Sequence, residues 1–177
     1  MLRLASELVF VGDAGTTEAG RPSHRQGLEL SAYYSPLPWL TLDADASLAR
    51  ARFRDDHPDG RFVPGAVERV LSAGAMVDGE RALFGGVRLR HFGPRALRED
   101  GGVRSAASSL INLSAGYRLT GSAKAVVDVF NLLDARHSDI DYFYVSRLPG
   151  EPESGIGDVH FHPALPRAAR ASLVIAF

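Results

Sequence analysis

The stretch WLTLDADASLA, residues 39–49, decides the fold. Leu40, Leu42, Ala44, Ala46 and Leu48 alternate strictly with Thr41, Asp43, Asp45 and Ser47. Side chains repeat every two residues only in an extended strand, so this segment has one apolar face and one wet face. The same alternation runs through GLELSAYY (27–34), LFGGVRLRHF (83–92) and LINLSAGYRL (110–119). Weaker versions occupy LASELVFVG (4–12), AVERVLSAGAMV (66–77), AKAVVDVF (123–130), DIDYFYVSRL (139–148) and ARASLVIAF (169–177). The pattern predicts an all-β protein of about eight strands, with no convincing helix.

The connections sharpen that expectation. SPLP (35–38), DGE (78–80) and TGS (120–122) have the Pro, Gly, Asp and Ser that tight turns require. The connections 12–26, 53–65, 93–104 and 149–166 are long and polar. Short and long connections alternate along the chain, as in an antiparallel up-and-down meander with all tight turns at one end. Strands of about 10 residues with short turns on one side and long loops on the other are the signature of an outer-membrane β-barrel. Trp39, Tyr33, Tyr34, Phe53 and Tyr117 stand near strand ends, where interfacial aromatic girdles belong. Alternation alone leaves a soluble barrel or sandwich open, because either fold needs one apolar face.

Composition narrows the function. Twenty Lys and Arg nearly balance 21 Asp and Glu, so nothing points to nucleic acid as a partner. There is no cysteine, and hence no disulfide framework or thiolate metal site. No apolar run is long enough for a transmembrane helix. The start, MLRLASELVFVGDAG, is broken by Glu7 and does not read as a signal peptide. Ser, His and Asp occur without a nucleophile motif, so an enzyme is not expected.

DVFNLLDARHSDIDYFYVSRLPGEP, followed by DVHFHPALPRAARASLVIAF, resembles the carboxy-terminal end of TonB-dependent outer-membrane receptors. The family's penultimate-strand box corresponds to Asn131, Leu132, Leu133 and Asp134. Its Pro-Arg before the last strand corresponds to Pro166 and Arg167, and its terminal aromatic to Phe177. The resemblance implies that residues 1–177 are the last strands of a larger barrel, forming an open curved sheet or partial barrel if alone. It implies TonB-energised uptake of a nutrient such as a metal chelate or vitamin in the bacterial outer membrane. The implied partners are outer-membrane lipid, the remaining barrel and plug, TonB through that plug, and the outer-membrane assembly machinery reading the terminal Phe177. Plug, TonB box and signal peptide are absent from these residues, so the expectation is a fragment inactive by itself. An autonomous eight-stranded barrel serving as anchor or adhesin is the alternative.

Several side chains are site candidates. Asp43, Asp45, Arg88 and Arg90 fall on polar strand faces, which in a large barrel line the lumen. Asp158, His160 and His162 have the residue types of a borderline-metal site. They sit on one long connection without an evident fourth ligand, so ordinary polar contacts are the stronger reading and no cofactor is expected. Arg147, Glu151 and Glu153 read as a solvated loop rim. The Asn131–Asp134 box breaks the alternation, which predicts a bulge or bend rather than a binding site.

Overall fold

The computed structural model describes residues 1–6, 8–11, 15–79 and 82–176. The expectation for Phe177 therefore lies outside the described residues. The described residues form twelve strands: β1 (Leu2–Leu4), β2 (Leu8–Val11), β3 (Thr16–Ala19), β4 (Ser23–Leu37), β5 (Leu40–Phe53) and β6 (Arg69–Val77), then β7 (Leu83–Phe92), β8 (Ser108–Arg118), β9 (Ala123–Phe130), β10 (Ser138–Ser146), β11 (Ile156–Pro163) and β12 (Ala168–Ile175). Eight form one antiparallel sheet in the order β1-β4-β5-β6-β7-β8-β9-β12. Two hairpins, β2–β3 and β10–β11, stand apart from it. The sheet is a meander and is not closed, with β1 and β12 as its edges.

Several expectations change, and the connection 12–26 is one of them, since it holds β3 and the start of β4. The segment 4–12 is not one strand but two, β1 in the main sheet and β2 in a hairpin. The connection 149–166 is not a continuous loop, because β11 pairs with β10 from Ser146↔Ile156 to Ser138↔Pro163. Asp158, His160 and His162 thus lie on a hairpin strand. The chain leaves the sheet after β9 and returns only at β12, which pairs with β9 from Ala168↔Phe130 to Ile175↔Ala123.

Register settles how the faces continue from strand to strand. Directly paired residues share a face, and Ala32↔Ala44, Ala44↔Ala73, Ala73↔Leu89 and Leu89↔Ile111 form one apolar row. The next row, Ser31↔Asp45, Asp45↔Ser72, Ser72↔Arg90, lies on the opposite, polar face. The apolar band on β4 runs from Leu28 to Tyr34, about 20 Å of strand. Towards the long loops the same face turns polar at Gln26, Arg50, Arg69, His91 and Ser109. Leu30 is 66% exposed and Leu173 62% exposed, so the sheet itself supplies no cover for this band.

The buried core sits elsewhere. Ala51, Phe53 and Val63 pack together where β5 rises into the connection 54–68, with Ala66 against them. Ala96 and Leu97 are buried in the connection 93–107. Tyr34 and Tyr117 are exposed on the apolar face, as a girdle requires, and Trp39 is exposed in the turn before β5; Tyr33 departs from the expectation, because it pairs with Asp43 and so lies on the polar face. Phe53 departs from that expectation: it is 2% exposed, because β5 overshoots the apolar band and the connection 54–68 folds back over its end. The phenyl ring is then the anchor of a loop core instead of a contact with the interface.

Candidate functional site

The polar face has a charged centre built by register. Asp43, Gly74 and Arg88 are neighbours across β5, β6 and β7. Arg88 donates from Nη1 to Asp43 Oδ2 and from Nη2 to Oδ1, both at 2.9 Å, and from Nη1 to Ser72 Oγ at 3.2 Å. This fork spans β6 because residue 74 has no side chain; a Cβ there would lie 2.5 Å from Asp43 Oδ1 and 2.9 Å from Arg88 Nη2. Such bidentate pairing suits a guanidinium better than an ammonium. A second pair follows at the β12 edge, where Arg170 Nη2 donates to Asp128 Oδ2 at 2.8 Å. Asp45 and Arg90 occupy the next row, with Ser72 between them, and the Arg90 guanidinium lies 5.4 Å from the Phe92 ring. An open concavity of about 430 Å³ on the sheet is lined by Asp43, Met76, Phe84, Arg88, Asn112 and Asp128.

The long connections form an organised platform above the strand ends. Phe62 N donates to Glu99 O and Gly65 N to Ala96 O, each at 2.8 Å, which ties the connection 54–68 to 93–107. Gly60 adopts φ 113°, and a side chain there would run into the Glu99 backbone, so glycine is required for the close approach. Arg21 holds the platform to the entry of β4. Its guanidinium donates to Asp55, to Glu99 and, at 3.1 Å, to Gly60 O, and lies 4.4 Å from the Phe53 ring. The hydrogen bond to Asp55 raises the Arg21 pKa above its ordinary value and holds the Asp55 carboxyl below the usual carboxylate range.

A second knot lies on the same platform. Partial burial pushes the Glu68 carboxyl up, but hydrogen bonds from Arg52 at 2.8 Å and Arg104 at 2.9 Å outweigh it and leave the pKa lowered. Arg52 also lies 4.0 Å from the Phe62 ring. Arg95 pairs with Asp141 at 3.2 Å, and Arg98 approaches the Phe143 ring at 5.4 Å, so the β10–β11 hairpin is fastened to the same body. One imidazole nitrogen of His57 and one carboxylate oxygen each from Asp59 and Glu99 lie within 4.8 Å of one another. Sequence reading missed this group, since its members come from two connections and carry no spacing signal.

The other candidates are placed as follows. His160 stacks on Tyr144 at 3.8 Å between centroids, with its Nε2 buried and without a hydrogen-bond partner. Among the described residues Asp158, His160 and His162 do not converge as His57, Asp59 and Glu99 do. Glu151 closes a local turn by accepting from Leu148 N at 2.6 Å, and Arg147 donates to Glu151 O at 3.2 Å. Glu153 stays exposed.

The Asn131–Asp134 box terminates β9. Asn131 is buried and takes φ 50°, Asp134 takes φ 53°, and this left-handed geometry is one that Asn and Asp tolerate. The Asn131 side chain accepts from Ala135 N at 2.9 Å and donates to Ala135 O at 3.0 Å and Leu165 O at 3.3 Å. Its backbone N donates to Asn112 Oδ1 at 2.9 Å. Leu132 N donates to Ile111 O at 2.7 Å, while Leu133 remains 69% exposed. Asp134 Oδ1 accepts from Arg167 N at 3.0 Å, just after Pro166. The box therefore clamps β8, the end of β9 and the start of β12, across the excursion into the hairpin.

No protein-family model and no curated relative matches the sequence. Solved structures do. The ferric yersiniabactin uptake receptor FyuA of Yersinia pestis superposes with a TM-score of 0.67 at 21% identity, over 92% of this chain and 25% of that one. The ferric-catecholate import receptor Fiu of Escherichia coli K12, closed form, gives 0.70 at 18% identity, over 97% and 23%. The copper transporter OprC gives 0.66 at 20% identity, over 97% and 26%. The chain thus spans about a quarter of the length of the receptors it matches. The open eight-stranded meander has the fold of a portion of the β-barrel of TonB-dependent outer-membrane receptors.

Proposed function

We propose that the chain is the carboxy-terminal barrel segment of a TonB-dependent receptor that imports a scarce nutrient, such as a metal chelate or vitamin, across the bacterial outer membrane. The observation that carries this reading is the division of one sheet into a continuous apolar face and a face with Asp43–Arg88 and Asp128–Arg170 pairs. The apolar face meets lipid, where strands that satisfy one another's backbone groups are the one alternative to helices. The charged face lines the lumen and meets the plug. Edge strands β1 and β12 pair with further barrel strands, because lipid does not accept unpaired backbone edges.

Named cargoes of similar barrels support the choice of nutrient class: ferric yersiniabactin for one, ferric catecholates for a second, copper for a third. The tight turns face the periplasm and the loop platform faces outward. TonB acts through the plug and not through this segment. Transport, not catalysis, is its task. By itself the segment does not transport.

The experiment is deletion, in the native bacterium, of the gene for the receptor that contains this segment, followed by uptake assays with a panel of ferric chelates, copper and vitamins. Loss of uptake of one class, restored by the gene and abolished without TonB, is the expected result. Unchanged uptake across the whole panel contradicts the proposal.

A further inference from the structure

Platform residues that have no part in the barrel wall carry a separate inference. His57 and Asp59 lie on the connection 54–68, and Glu99 on 93–107. Their three donor atoms lie within 4.8 Å of one another. Ligand atoms bound tetrahedrally at about 2.0–2.2 Å to Zn²⁺ are about 3.3–3.6 Å apart, so side-chain rotation by about an ångström at the donor atoms closes the set. Asp59 is 73% exposed in its side chain and is free to supply that rotation.

The surroundings favour a dication. Asp56 pairs with Arg61 at 3.5 Å and Asp100 with Arg98 at 2.9 Å, so these four charges cancel. Arg21 is the guanidinium set against Asp55, Asp59 and Glu99. These three carboxylates outnumber it by two charges. His57 Nδ1 accepts the backbone N–H of Asp59 at 3.4 Å while the Asp59 carboxylate approaches the same nitrogen to 3.2 Å. The imidazole and the carboxylate thus already stand side by side, as two ligands of one ion do.

The backbone is fixed as well. Gly60 N donates to His57 O at 3.0 Å, and Glu99 is held by the Phe62 N–H and by Arg21. A cavity of about 420 Å³ opens beside the group, lined by Pro58, Asp59, Pro64, Leu97, Glu99 and the Arg98–Asp100 pair. It leaves room for water or an external ligand in the remaining coordination positions.

We propose that His57, Asp59 and Glu99 form a divalent-metal site on the loop platform, taking a borderline ion of the Zn²⁺, Ni²⁺ or Cu²⁺ class. One imidazole with two carboxylates selects such ions over Ca²⁺ or Mg²⁺, which take oxygen ligands alone. Three protein ligands leave the ion open to solvent, unlike a closed structural site. The proposal concerns metal binding by the platform and stands whether or not the barrel transports a chelate.

The test is calorimetric titration of the full 177-residue chain in detergent with Zn²⁺, Ni²⁺ and Cu²⁺ separately, alongside electron paramagnetic resonance of the Cu²⁺ form. One equivalent should bind, with nitrogen hyperfine splitting from one imidazole. His57→Gln should remove that splitting, and His57→Gln and Asp59→Asn should each weaken binding at least about tenfold. Both positions are solvent-exposed, so neither change disturbs the core. His162→Gln on the β10–β11 hairpin should leave the titration unchanged. Absence of binding for all three ions, or binding that survives His57→Gln and Asp59→Asn, overturns the proposal.

Discussion

The sheet and the loop platform solve opposite problems with the same chain. On the sheet, Leu28, Leu30, Leu48, Leu71 and Leu113 stay exposed on one face although they are large and apolar. On the platform, Phe53, Val63, Ala96 and Leu97 are buried in protein. In the proposed barrel the wall leaves its apolar side to lipid, so the strands need no protein core of their own. Loops in water would have no such solvent and must build one. They do so with a few apolar residues under a layer of arginines, where Arg21, Arg52 and Arg104 cover the Phe53 and Phe62 rings and pair with Asp55, Glu68 and Glu99. Ordinary hydrophobic packing therefore governs the loops, and solvent matching governs the strands.

Substitutions break this contrast in graded steps. Phe53→Ala removes the anchor of the platform core and should cost about 3–5 kcal/mol locally, freeing the connections 54–68 and 93–107. Hydrogen exchange should rise there and stay low in β6–β9; equal loosening of sheet and platform would erase the distinction. Ala73→Arg puts a charge in the middle of the apolar row and should cost about 2–4 kcal/mol in a bilayer, whereas Ser31→Arg on the opposite face, across from Asp45, should be nearly silent. Refolding titrations into lipid vesicles measure both. Equal costs at the two positions would contradict the assignment of faces.

Asn131→Ala removes the side chain that closes the excursion between β9 and β12 and leaves the Ala135 and Leu165 groups without it. The expected loss is about 1–3 kcal/mol, read as protease sensitivity at 131–137. Acid gives the smallest effect, and it acts on the platform alone. Asp55 and Glu68 have lowered pKa values in the folded chain. Their pairing therefore stabilises the fold above the unfolded carboxyl value of roughly 4, and that contribution is lost as pH falls through the lower folded values. Proteolysis of the connection 54–68 should increase below about pH 4 while the β circular-dichroism signal of the sheet persists.

The two regions also differ in how much of them the amino-acid sequence discloses. Alternation marks strands because a sheet with one apolar and one polar face imposes it residue by residue. LFGGVRLRHF coincides with β7, and WLTLDADASLA with the apolar stretch of β5. The polar faces of Asp43, Asp45, Arg88 and Arg90 were legible for the same reason, though the fork over Gly74 needs three strands in register. Loop contacts leave no such trace. Arg21 and Glu99 are 78 residues apart, and nothing periodic links them. In sequence β10 looks like a barrel strand, since Tyr142, Phe143 and Tyr144 are as apolar as any wall segment; only its pairing with β11, which reads as part of a long polar connection, reveals a separate hairpin. Phe53 misled because an aromatic near a strand end serves an interface or a loop core equally well.

The central claim is that one face of this sheet meets lipid and the other does not. Because the chain has no cysteine, single cysteines carrying nitroxide labels can be placed at Leu30, Ala73, Leu89 and Leu113, and in parallel at Asp45, Ser72, Arg90 and Asn112. After reconstitution in outer-membrane lipid, the first set should relax faster with oxygen and be shielded from a water-soluble nickel chelate. The second set should show the reverse. Shielding of the first set from both reagents would place these residues inside a protein core and contradict the membrane-barrel account.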